Sequence, residues 1–85
     1  MIQLESEHLT VSIDPFGAQL NSIYGKQDDL EYLWQKDPDV WNSSAPVVFP
    51  IIGKLNNMEY RLNGKHYSMR SNGLIRYEQL QVLSA

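Results

Sequence analysis

The sequence contains no cysteine. That excludes a disulfide framework, thiolate metal sites and cysteine nucleophiles. Histidine is nearly as scarce. His8 and His66 stand apart, without the close spacing that a zinc centre uses, so no metal is expected. No apolar run approaches the ~20 residues of a membrane-spanning helix. The opening residues, MIQLESEHL, have neither the basic head nor the apolar core of a signal peptide. Positive charge is also in short supply: seven Lys and Arg face ten Asp and Glu, for a net charge of −3. The basic residues are scattered rather than striped, which excludes a surface that tracks phosphates. These absences together lead to the expectation of a cytoplasmic protein with neither nucleic acid nor membrane as partner.

Eighty-five residues make at most one small domain. A chain of this size buries only ~60–65% of the surface it exposes when unfolded, so its core is thin. Within it, alternation of apolar and polar residues dominates. Leu9, Val11 and Ile13 fall on one face of a strand and His8, Thr10, Ser12 and Asp14 on the other. Residues 2–5 form an earlier strand or the beginning of the same one. Pro15-Phe16-Gly17 reads as a turn, and residues 19–24 as the returning strand. The returning strand alternates untidily, with Leu20 and Tyr24 on one face and Ile23 on the other. Residues 25–29 are a polar turn. Leu30, Tyr32 and Trp34 continue as an aromatic-rich strand, and Asp37-Pro38 suggests an N-cap and first position of a short helix.

The strongest local signal is Asn63-Gly64 in MEYRLNGKHYSM (58–69). A type I′ turn needs positive φ at both central residues, which Asn and Gly tolerate. That turn sets Leu62 against Lys65, Arg61 against His66, Tyr60 against Tyr67 and Met58 against Met69. Residues 70–76 read as a loop and 77–83 as a last alternating strand. The chain is thus expected to be all-β: antiparallel meander and hairpins with very little helix. A meander also exposes two strand edges, which favour pairing between copies, so a homo-oligomer is expected.

Residues 41–55, WNSSAPVVFPIIGKL, fit neither regular pattern. Pro46 and Pro50 disfavour helix and cannot donate ladder hydrogen bonds. The segment is expected to be extended, irregular and buried as an apolar plug. His66, His8, Asp28, Asp29, Glu5 and Glu7 read as solvated surface groups. Trp34 and Trp41 could stack on the ring of a ligand, but read first as packing residues.

Several of these segments, in order, resemble the aldose 1-epimerase (galactose mutarotase) family, in its LacX-like branch. Residues 16–22, FGAQLNS, are similar to the family's G-A-E-L-x-S turn and strand, with Gln19 in place of Glu. EYLWQ (31–35) matches E-Y-L-W, and Asp37-Pro38 with Trp41 matches D-P-x-x-W. Residues 45–55 resemble A-P-x-L-F-P-x-x-G-R-L, with Lys54 in place of Arg. YRLNGK (60–65) resembles Y-x-L-x-G-K, and NGLIR (72–76) resembles H-G-F-A-R, with Asn72 in place of His.

The resemblance implies that residues 1–85 form a single partial domain, the N-terminal portion of a large antiparallel β-sandwich. It implies cofactor-free interconversion of sugar anomers of the galactose or glucose class by a His acid and a Glu base. The Glu base and a second His belong to family segments outside this region, so no catalytic residue is assigned, and the chain is expected to be truncated and inactive alone. Substrate contact falls to Lys54, Asn72 and Arg76. Lys54 keeps the charge of the family Arg without its planar fork. Asn72 can hydrogen-bond a hydroxyl but supplies no proton at neutral pH. The alternative is a non-catalytic carbohydrate-binding module or an oligomeric β-domain.

Overall fold

A computed structural model describes residues 1–84. Four strands, β1 (Ile2–Glu5), β2 (Leu9–Asp14), β3 (Gln19–Gly25) and β4 (Leu30–Glu31), form one antiparallel meander in sequence order. β5 (Glu59–Leu62) and β6 (Lys65–Ser68) form a separate hairpin. Two 3-10 turns, Asn56–Met58 and Ile75–Tyr77, are the only helical elements among the described residues. The all-β expectation therefore holds. No helix is long and apolar enough to cross a membrane among the described residues.

Turn chemistry explains the connections. Ser6 ends β1, its Oγ accepting from the amides of His8 and Leu9 at 3.2 and 3.1 Å, so residues 2–14 are two strands rather than one. Gly17 and Ala18 take φ of 79° and 50°, closing the turn into β3 with an Ala18 N–H to Pro15 carbonyl bond. In the hairpin, Asn63 and Gly64 adopt φ of 51° and 77°. The β5–β6 register is Tyr60 to Tyr67, Arg61 to His66 and Leu62 to Lys65, as the Asn-Gly turn requires. Tyr60 and Tyr67 stack with centroids 5.1 Å apart.

Register decides the faces of the meander. Ile2–Ile13–Leu20, Leu4–Val11–Ile23 and Leu9–Gly25–Leu30 form three rows across the strands, apolar but for one glycine. The opposite face carries Gln3–Ser12–Ser22 and Glu5–Thr10–Tyr24–Glu31. An irregularity at Ser12/Ile13 skips Asn21, so Ile13 pairs with Leu20 while Ser12 pairs with Ser22. This bulge accounts for the untidy alternation of β3 and corrects its reading. Leu20 shares the apolar face with Ile23, and Tyr24 joins the polar face.

Four sequence readings are revised. The strand over Leu30, Tyr32 and Trp34 stops at Glu31, because its carboxylate folds back to accept the Leu33 amide at 2.9 Å and the Ile23 amide at 2.8 Å. Asp37-Pro38 starts no helix. The Asp37 carbonyl accepts from both Val40 and Trp41 and its Oδ1 from the Asp39 amide, a self-contained turn. Residues 77–83 form no strand; one bridge, Phe16 to Gln79, lays this segment on the β2–β3 turn. Residues 41–55 are extended and irregular as expected but are not a buried plug: Phe49 is 59% and Ile52 86% exposed. Trp34 and Trp41 are likewise exposed, joined by a 2.8 Å bond from Trp34 Nε1 to the Trp41 carbonyl.

Glu31 binds the meander together. Partial desolvation raises its pKa, but hydrogen bonds from Ser22 Oγ and from the Leu33 and Ile23 amides outweigh that and hold it below the ordinary value of 4.5. A carboxyl with a lowered folded-state pKa stabilises the fold above its unfolded pKa and loses that contribution as pH falls through the lowered one. Glu31→Gln should therefore cost about 1–2 kcal/mol at pH 7. It should also flatten the acid-side loss of stability below pH 4.5. Urea titrations of the folded protein at pH 7 and across the acid range check both.

Candidate sugar-contact site

The three residues singled out by the sequence lie on two segments that the fold stitches together, 49–54 and 70–77. The stitching is backbone to backbone. The Phe49 amide donates to the Asn72 carbonyl at 3.2 Å, the Leu74 amide to the Phe49 carbonyl at 2.7 Å, and the Asn72 amide to the Gly53 carbonyl at 2.8 Å. Phe49 and Gly73 form a parallel bridge, and the Phe49–Pro50 peptide is cis. Gly73 is required here: its φ is 87°, and any Cβ would overlap the Phe49 carbonyl.

Asn72 adds a side-chain bond to this clamp. Its backbone is left-handed, with φ 64°, a conformation that Asn tolerates better than most residues. Its Oδ1 accepts the Gly53 amide at 2.8 Å. The carboxamide oxygen thus fixes the residue next to Lys54, and the Nδ2 group keeps two N–H donors for other use. Lys54 itself is exposed. Beside it lies an open apolar depression of about 320 Å³, lined by Pro50, Ile51, Leu55, Tyr60 and Met69.

Arg76 sits apart from that pair. Its guanidinium lies 5.3 Å from the Tyr77 ring centroid, and its backbone packs against Gly17. No hydrogen bond or ion pair joins it to Lys54 or Asn72 among the described residues. The fold therefore brings Asn72 to the Lys54 loop and leaves Arg76 on the adjoining turn. Arg70, which the sequence reading passed over, stacks on the same Tyr77 ring at 4.3 Å. The signal available was a second Arg and an aromatic bracketing the N-G-L-I-R segment.

Lys54, Asn72 and the two arginines all present donors, suited to the lone pairs of sugar hydroxyls. Among the described residues, no His or carboxylate side chain bonds to Lys54, Asn72 or Arg76. His66 lies exposed on the hairpin, opposite Arg61. If Asn72 holds the Lys54 loop, Asn72→Ala should speed exchange of the Gly53 amide roughly 3- to 10-fold, the size of one net hydrogen bond. Asn72→Asp, which retains the acceptor, should leave it protected. Amide hydrogen exchange read at Gly53 distinguishes the two.

Comparisons with known proteins agree with this architecture. The profile of the aldose 1-epimerase family matches residues 1–81. Two curated relatives from Lactococcus lactis subsp. lactis, the chromosomal and plasmid forms of protein LacX, are each 45% identical over 86 residues. These alignments cover 95% of this chain and 28% of each relative. Among solved structures, a galactose mutarotase-like protein from Lactobacillus casei superposes with a TM-score of 0.95 at 39% identity, covering all of this chain and 29% of that one. A galactose mutarotase related enzyme from Lactobacillus acidophilus gives a TM-score of 0.95 at 34% identity, over 99% of this chain and 28% of its own. The chain thus spans somewhat more than a quarter of the length of the relatives it matches. With its family profile, its relatives and its fold in agreement, this chain belongs to the aldose 1-epimerase family.

Proposed function

We propose that this chain contributes the sugar-contacting side of an aldose 1-epimerase-like site rather than its proton-transfer pair. The observation that carries this reading is the Asn72–Gly53 clamp. It holds a cation, Lys54, next to an amide whose two Nδ2 hydrogens remain available. Mutarotation requires one group to protonate the ring oxygen while another takes the anomeric proton. A primary amide and an ammonium orient hydroxyls well but supply no base at neutral pH. By resemblance, the acid and base belong to other segments of the family fold. The sugar is an aldose of the galactose or glucose class, held by Lys54 and Asn72, with Arg76 reaching from the adjoining turn. The non-catalytic binding module is the second reading, favoured by the same donor-rich, base-free composition.

Polarimetry of freshly dissolved α-D-glucose or α-D-galactose tests the division of labour: with this chain alone, equilibration should run at the buffer rate. In parallel, nitrogen–proton correlation spectra should show aldose-dependent shifts at Gly53 and at the Asn72 carboxamide. Lys54→Ala and Asn72→Ala should each weaken that binding about 3- to 10-fold. Shifts absent for both sugars, or equilibration faster than the buffer rate with this chain alone, would refute the assignment.

A further inference from the structure

The charges of this chain are sorted along its length. Its seven basic residues form no stripe for a polyanion, yet five of them, Lys54, Arg61, Lys65, Arg70 and Arg76, fall within residues 54–76. Of the ten acidic residues, Glu59 alone is found there. The candidate sugar site therefore belongs to a basic region of an acidic chain. Within that region the guanidiniums of Arg70 and Arg76 lie over one ring, Tyr77, at 4.3 and 5.3 Å from its centroid. Neither pairs with a carboxylate among the described residues, where the one ion pair links Lys26 to Glu5. A cation–π contact at an exposed site is weak; it orients a guanidinium but gives no reason to gather two. Two cations brought to one ring repel each other, and an anion shared between them reverses the sign of that interaction.

The arginine pair adjoins the residues already assigned to the sugar. The Gly73 amide donates to the Arg70 carbonyl at 3.0 Å, closing a turn that holds Arg70 and Asn72 together. Arg70 and Ser68 border an open depression of about 280 Å³. Met69 lines both that depression and the one beside Lys54, so a ligand passes from one to the other over a single side chain. A guanidinium presents five N–H donors in a planar fork matched to oxyanions, and stacking on Tyr77 orders that fork in advance. A phosphate monoester carries about −1.5 to −2 charges at pH 7 and three acceptor oxygens, which two guanidiniums balance. A carboxylate, with a single charge, leaves one of the two cations uncompensated. Resting on the sugar-contact reading of Lys54 and Asn72, we infer that the aldose at this site carries a phosphate ester, received by Arg70 and Arg76. The anomeric hydroxyl must stay free for ring opening, so the ester sits on another carbon, such as the primary one.

Titration of the 85-residue chain with galactose 6-phosphate, glucose 6-phosphate, the two parent sugars, glucuronate and inorganic phosphate tests this. Nitrogen–proton correlation spectra are read at the side-chain Nε–H groups of Arg70 and Arg76 and at the Gly53 amide. At least one sugar phosphate should bind about tenfold or more tightly than its parent sugar, the difference one charge-assisted pair supplies. It should shift the arginine and Gly53 signals together. Arg70→Gln should bring the sugar phosphate down to the affinity of its parent, and Arg70→Lys, which keeps the charge without the fork, should retain part of the preference. Arg61→Gln removes the same charge from the same region and should leave the preference in place. Equal affinity for a sugar phosphate and its parent would overturn the inference and leave the sugar-contact reading standing; binding of neither would remove both. Glucuronate or inorganic phosphate binding as tightly as the sugar phosphates would also overturn it. So would arginine shifts without any at Gly53, or the same loss in Arg61→Gln as in Arg70→Gln.

Discussion

Burial of one face of the β1–β4 meander is the constraint on which the rest of this structure depends. Fully burying a Leu or Ile contributes about 1.5–3 kcal/mol, while the net stability of a domain is only ~5–15 kcal/mol. Several such residues line the face, and three of its leucines are exposed. Whether that face is covered therefore outweighs any single hydrogen bond in the chain. Local chemistry supplies geometry: the Ser6 turn, the Glu31 carboxylate and the Ser12/Ile13 bulge set which side chains lie on which side. Those features make one face of the sheet apolar and the other polar.

The candidate site depends on a different kind of interaction. It is built from backbone hydrogen bonds between two irregular segments, with Asn72 adding one side-chain bond to Gly53. Such a clamp needs little hydrophobic core. It needs Gly73, whose missing Cβ lets the Phe49 carbonyl approach, and a residue at 72 that tolerates positive φ. Asn at this position meets both demands, tolerating the left-handed backbone while its carboxamide oxygen holds the Gly53 amide.

Much of the fold was legible in the residues because turn chemistry and alternation are local. Asn63-Gly64 specified the hairpin and its register, and Pro15-Phe16-Gly17 specified the turn into β3. Alternation in β2 identified its apolar face. The errors share a cause. Leu30, Tyr32 and Trp34 alternate like a strand, yet Glu31 turns back onto β3 to bind amides that a continuing ladder would have used. Residues 77–83 alternate as well, but lie across the Phe16 turn, where only Gln79 finds a bridge. Asp37-Pro38 has the chemistry of a helix start, and the same Asp side chain closes a turn just as readily. In each case a competing partner, distant in sequence or equivalent in chemistry, took the hydrogen bond.

For the candidate site, the sequence supplied donor side chains at 54, 72 and 76, singled out by the family resemblance. It also determined the β class and the hairpin register, because Asn-Gly turns and two-residue periodicity act within a few residues. Only the tertiary structure decided that the carboxamide of Asn72 faces Gly53, nineteen residues away, that Arg76 shares its aromatic platform with Arg70, and that the apolar segment at 41–55 lies open. Those outcomes depend on which segments meet in space. Contacts of that kind carry no period, so the order of residues along the chain does not display them.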